Sequence, residues 1–147
     1  VKFSPFYPIE NIPVPFSEDV FASSVEGIWQ GLKVFENQDV DESKFSVTSM
    51  KGLKRTVRKF GVPKGHRKGI NGNELLDYKT ARKLIYLPTY TWVLNNKLQK
   101  EIDALCAIAK QHTLILLDYE TNGDVENLSK PLSHAQLIKI EIDKQII

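Results

Sequence analysis

Residues 23–35 read SSVEGIWQGLKVF, and the spacing of their apolar side chains decides the kind of fold to expect. Val25, Ile28, Trp29, Leu32 and Phe35 fall at i, i+3, i+4, i+7 and i+10, which is one face of an α-helix. A helix over the whole stretch is therefore predicted, with that face toward a core. Glu26, Gln30 and Lys33 form a second row at i, i+4 and i+7. With Ser23 as N-cap, Glu26 would sit at the third helical position and close a capping box. The competing reading makes Glu26 a catalytic acid or base. Gly27 and Gly31 lie one turn apart, and each costs about 1 kcal/mol relative to alanine inside a helix. Another backbone or a ligand is expected to approach them closely.

Outward from this helix the chain reads as mainly α (α+β). We expect one compact domain over residues 1–147, with about five to six helices, an extended N-terminal segment and at most a small β element. Pro5, Pro8, Pro13 and Pro15 remove amide donors and fix φ, so the opening segment should be extended and irregular, with Phe3, Phe6, Tyr7 and Phe16 available to pack. A second helix is predicted near TSMKGLKRTVRKFG, with Met50, Leu53, Val57 and Phe60 inward and Gly61 as its stop before Pro63. GVPKGHRKGINGNE, with four glycines and a proline, reads as a mobile loop. A third helix should start near Asn73, and Pro88 should open another. A break near Asn95 and Asn96 would lead into LQKEIDALCAIAK. TLILLDY reads as one buried strand, and a last helix is expected from about Leu132, with Ala135, Leu137 and Ile138 inward.

Composition narrows the function classes. A hydrophobic content of 41% with 26% charged residues is ordinary for a soluble globular protein. No apolar run approaches the roughly 20 residues a membrane-spanning helix needs, and the proline-broken opening does not resemble a signal peptide. The expectation is a cytoplasmic protein without membrane contact. Cys106 is the single cysteine and falls on the apolar face of a helix, which favours core filler over a nucleophile. The net charge of +2 is unevenly placed: residues 51–68 carry eight Lys or Arg and no acid, leaving twelve basic against eighteen acidic residues elsewhere. That field attracts anions, whether nucleic acid, a phosphorylated small molecule or an acidic protein. Dinucleotide, P-loop, HExxH, CxxC and serine-elbow motifs are all absent, and three histidines far apart in sequence make a poor metal site. No metal and no cofactor is expected. What remains is carboxylate chemistry beside aromatic and basic side chains.

SPFYP followed by SSVEGIWQGLKVF resembles the NADAR (NAD- and ADP-ribose-associated) family, whose members show an Asn-Phe-Tyr-Pro opening and then a helix of the form S-V-E-H-x-Y-Q-x-x-K. MKGLKRTVRKFG, KTARKLIYLPTYTWVLNNKLQ and KPLSHAQLIKIEI are similar to that family's plan, so the likeness extends over most of the chain, although only the first two motifs are specific. Gly27 stands where the family has histidine and Trp29 where it has tyrosine, and the Trp-Gly signature before the last helix is missing.

The resemblance implies a mainly helical N-glycosidase. Such an enzyme cleaves the bond between a ribose phosphate or ADP-ribose moiety and a base or amine, and can remove ADP-ribose from modified nucleobases. Hydrolysis at an anomeric carbon passes through an oxocarbenium-like state, which one carboxylate stabilises while a second acid assists departure of the base. By the resemblance Glu26 is the first carboxylate. Asp118 or Asp124, flanking YETNG, is the second, and for each a turn-forming or capping role is equally available. Phe6, Tyr7 and Trp29 would contact the base, Gln30 and Lys33 the ribose or phosphate, and Lys51, Lys54 and Arg55 the phosphates. The alternative is a non-catalytic module that binds ADP-ribose, nucleotide or nucleic acid through residues 51–68.

Overall fold

The structure is a computed structural model that describes residues 2–111, 124, 126–128 and 131–146. Helices combine with two small antiparallel sheets, so the arrangement is α+β rather than purely helical. The first sheet pairs β1 (Ile12–Pro13) with β2 (Phe21–Ala22), and the second has the order β3 (Lys33–Phe35), β4 (Pro63–Arg67), β5 (Leu75–Leu76). The helices are α1 (Val25–Leu32), α2 (Val57–Phe60), α3 (Tyr78–Ala81), α4 (Leu87–Asn96), α5 (Gln99–Gln111) and α6 (His134–Ile146), with a 3₁₀ turn at Glu42–Ser46. Among the described residues no helix is long and apolar enough to cross a membrane.

Helix α1 buries the predicted face, with Val25, Ile28 and Leu32 nearly inaccessible. Its ends differ from expectation. Ser24, not Ser23, is the N-cap, its Oγ accepting the Gly27 N–H at 2.9 Å. The Ser23 backbone is already engaged, donating to Phe45 and accepting from Ile9 and Glu10. Glu26 thereby moves to the second helical position and makes no capping box. At the other end LysValPhe leaves the helix as β3, because Lys33 and Val34 pair with His66 and Gly65 of β4.

The two glycines of α1 admit backbone. A Cβ on Gly27 would lie 2.8 Å from the Lys44 carbonyl oxygen, and one on Gly31 would run into the Phe45 ring at 2.5 Å. The 3₁₀ turn thus packs directly on α1, and Gly31 also accepts the Asp41 N–H.

The basic helix shrinks to α2. Gly52 adopts φ 81°, outside the helical region, and Met50 and Val57 are exposed while Leu53 is buried. Gly61, at φ 87°, ends α2 as predicted. The glycine-rich stretch that follows is a hairpin rather than a loop alone. Gly65 takes φ 146°, and a Cβ there would sit 2.4 Å from the Leu76 carbonyl oxygen, so only glycine lets β4 and β5 close.

Pro88 stands in the first turn of α4, as expected, but no break in the backbone precedes it. Arg82–Tyr86 form a wide π-type turn in which the Leu87 N–H reaches Arg82, five residues back, and both junction residues keep right-handed helical dihedrals. The run from Tyr78 to Asn96 is therefore continuous, and the widened turn absorbs the donor that proline lacks. Helices α4 and α5 do separate near Asn96. In α6, Ala135, Ile138 and Ile142 are buried and Leu137 packs against the core. One apolar cluster joins β1, α1, α4, α5 and α6 through Ile12, Ile28, Val93, Ile102 and Ile138. Cys106 is part of it. TLILLDY lies outside the described residues.

Candidate functional site

A cleft of about 390 Å³ opens between α1, β4 and the start of α3, lined by Trp29, Lys33, Pro63, Lys64, Gly65, His66, Asp77 and Tyr78. Its aromatic wall centres on Trp29. The indole lies on the His66 ring at a centroid distance of 3.7 Å, with Tyr78 at 6.1 Å and Tyr86 edge-on at 5.7 Å. Three elements distant in sequence meet here because β3 emerges directly from α1 and pairs Lys33 opposite His66, while β5 delivers the chain to Asp77 and Tyr78.

Glu26 lies one turn before Trp29 on α1. Burial pushes its carboxyl above the ordinary value, and the Gln30 hydrogen bond and the Lys33 and Lys54 ammonium groups offset part of that rise. Gln30 Nε2 donates to Glu26 Oε1 at 2.9 Å. The Glu26 N–H donates to the Pro5 carbonyl, so the SPFYP turn seats half-buried Phe6 and Tyr7 against the start of α1. Lys33 is also partly withdrawn from water. Burial lowers its pKa, Glu26 opposes that fall, and Lys54 and Arg55 add to it.

His66 is 3% exposed. Burial, reinforced by Lys33 and Arg55 against a weak pull from the Trp29 backbone, holds its imidazole down at about 3, so it is neutral at physiological pH. Among the described residues neither ring nitrogen has a partner in hydrogen-bonding geometry. A buried polar group left this way costs about 1–3 kcal/mol. Across the cleft, Asp77 is exposed and caps α3 by accepting the Thr80 N–H at 2.8 Å. That bond holds its carboxyl below the usual range.

Of the residues singled out from sequence, Trp29 and Lys33 line the cleft. Lys54 lies close enough to act on Glu26 and Lys33, whereas Lys51 is exposed on the preceding turn. Gln30 and Arg55 require correction. Gln30 is 2% exposed and occupied at both ends, giving a hydrogen bond to Glu26 and accepting one from the Arg55 N–H at 3.0 Å. Arg55 is not on an outer face. Its guanidinium donates to the carbonyls of Gln30, Lys33 and Asp39 and packs over the Phe35 and Phe60 rings, and its unpaired Nε–H is buried, so the group is not presented to a phosphate. Asp124 is exposed, accepts the Glu126 N–H through Oδ1 and is not a cleft residue. Asp118 lies outside the described residues. Asp77 and Tyr78 escaped the sequence reading as a site, and Lys64 and His66 entered it only as part of the basic segment 51–68.

The comparisons with known proteins fit this span of chain. A family model matches residues 1–138. The chain belongs to a family of unknown function, DUF6939. No curated protein and no solved structure matches it. The matched range contains every residue that lines the cleft.

Proposed function

We propose that the chain is an N-glycosidase that cleaves the bond between a ribose phosphate or ADP-ribose moiety and a base or amine, as its resemblance to the NADAR family implies. The observation that carries this reading is Glu26: a carboxyl withdrawn from water, with raised proton affinity, one turn along α1 from Trp29 of an aromatic cleft that holds two lysines. Glu26 and Asp77 are pushed in opposite directions, Glu26 by burial and Asp77 by its cap bond. Such a split is what acid and ionised roles require of a carboxylate pair. Glu26 then protonates the departing base from Oε2, since Oε1 is held by Gln30. Asp77 stabilises the oxocarbenium-like charge and takes a proton from the water whose oxygen bonds to the anomeric carbon as the bond to the base breaks, Tyr78 and Trp29 stack on the base, and Lys33 and Lys64 take phosphate.

Release of ADP-ribose from an ADP-ribosylated base tests the assignment. Glu26→Gln keeps an acceptor for Gln30 and should leave the melting temperature near wild type, while turnover falls by roughly 10²–10⁴. Equal turnover in the two proteins would sink the catalytic role of Glu26.

One observation favours the binding-module alternative. Lys51, Lys54, Arg58, Lys59 and Lys64 are exposed and, among the described residues, have no acidic partner, unlike Arg67 and Lys68, which pair with Asp39 and Glu74. If that surface binds a polyanion, affinity falls steeply with salt in proportion to the phosphates contacted, whereas a small ligand neutralises only two or three charges.

A further inference from the structure

The proposed chemistry gives His66 no role, yet its placement is the least explained feature of the cleft. Its ring is buried against Trp29 at a tilt of 31°, and among the described residues both nitrogens are shut off from solvent and from any hydrogen-bond partner. Well-packed proteins pair such atoms, and an apolar residue would fill the same space without leaving a donor and an acceptor unmade. The ring that His66 packs on is that of Trp29. Trp29 is itself partly exposed at the cleft mouth, held by ring contacts with Tyr78 and Tyr86. Rotation of the indole would open the imidazole to the cleft that His66 already helps to line.

We propose that His66 is the specificity residue of the cleft: Trp29 swings aside when ligand enters, and the imidazole reads the uncharged part of that ligand, its base edge or sugar hydroxyls. This rests on the reading of the cleft as a site for a phosphorylated nucleoside. A neutral imidazole offers one donor and one acceptor, which matches an amide-like base edge or a hydroxyl and is a poor match for a phosphate. Phosphate is left to Lys33 and Lys64, whose ammonium groups flank His66 in the cleft. The division predicts selectivity for the nucleoside portion rather than for phosphate content.

Ligand binding tests this without any turnover. In a Trp92→Phe background, where Trp29 is the remaining tryptophan, ADP-ribose, adenosine and inorganic pyrophosphate are titrated into the protein and into its His66→Phe and His66→Gln forms. Phenylalanine keeps the stack on Trp29 and deletes both nitrogens, and glutamine restores a donor and an acceptor. The expected result has four parts: ADP-ribose changes Trp29 emission, His66→Phe weakens ADP-ribose and adenosine about tenfold or more, His66→Gln recovers much of that loss, and pyrophosphate binds all forms alike. Equal ADP-ribose affinity in His66→Phe, or weakening of pyrophosphate to the same degree, overturns the inference and leaves the glycosidase reading standing. Binding as expected without release of ADP-ribose from a modified base supports the inference and overturns the glycosidase. If none of the three ligands binds the parent protein, both fall.

Discussion

Arg55 and His66 are both polar side chains carried into the interior beside α1, and the protein treats them in opposite ways. Arg55 reaches three backbone carbonyls, and its own N–H reaches Gln30, so it ties α1, β3 and the Asp39 loop together. Among the described residues neither His66 ring nitrogen has a hydrogen-bond partner. Burial penalises both, but Arg55 is compensated at both terminal nitrogens, with only Nε unpaired, whereas His66 is compensated at neither. A satisfied buried network stabilises a fold, whereas an unsatisfied one persists where something other than stability maintains it. The contrast separates the part of the polar interior that builds the domain from the part available to a ligand.

The largest expected effect comes from breaking the satisfied side. Arg55→Glu places an acid against three carbonyl oxygens and removes the clamp between α1 and β3, so a loss of about 3–5 kcal/mol is expected. Against a typical total of about 5–15 kcal/mol that approaches unfolding. Chemical denaturation checks it, and a cost below about 1 kcal/mol would mean that Arg55 belongs with the exposed lysines after all.

The unsatisfied side gives a smaller effect that depends on pH. His66 has a folded pKa near 3 against an ordinary 6.5. The unfolded chain therefore binds its proton first, and the stability linked to neutral His66 is fully present above 6.5 and lost as pH falls toward 3. Between pH 7 and pH 5 the loss should be roughly 2 kcal/mol. His66→Phe should remove that part of the slope and be no less stable than wild type at pH 7. A mutant slope identical to wild type would mean that His66 finds a proton acceptor or solvent in solution.

How far the sequence reveals this contrast follows from the range of each signal. The buried face of α1 was legible because helical periodicity is local, and the Gly27–Gly31 pair correctly foretold a close backbone. Periodicity put Trp29 on the core face, and it was the resemblance that named Trp29 and Lys33 as ligand contacts; both line the cleft. Arg55 was not, since a helical reading of residues 48–61 gives it the same outward place as Lys54, and only the turn at Gly52 rotates it inward. His66, Asp77 and Tyr78 were hidden by composition. Lysines, glycines and a proline around His66 read as a loop, and a hairpin whose closure depends on the φ of Gly65 leaves almost no trace of alternation. The Ser23 capping box failed although only Ser23 has a glutamate three residues on, because Phe45, Ile9 and Glu10, distant in sequence, engage the Ser23 backbone and the cap falls to Ser24.

The smallest effect lies next to Arg55 and tests whether its neighbour belongs to the site instead. Lys54 is exposed and makes no ion pair, so Lys54→Gln should change stability by no more than about 0.5 kcal/mol. Its charge nonetheless acts on Glu26, favouring the ionised carboxylate against the burial that raises its pKa. Removing that cation lets burial act with less opposition, and the Glu26 pKa rises further. If Glu26 donates the proton to the leaving base, turnover falls as pH climbs through that pKa, because the acid form is consumed. The alkaline limb of the pH profile in Lys54→Gln should then sit above that of wild type, while the acid limb stays where it was. The interaction runs through solvent-exposed charge, so the difference should shrink at 1 M salt, where the screening length is about 3 Å. A displaced limb that ignores salt would point to a conformational cause, and coincident profiles at low salt would remove Lys54 from the electrostatics of the site and leave it with the surface of residues 51–68.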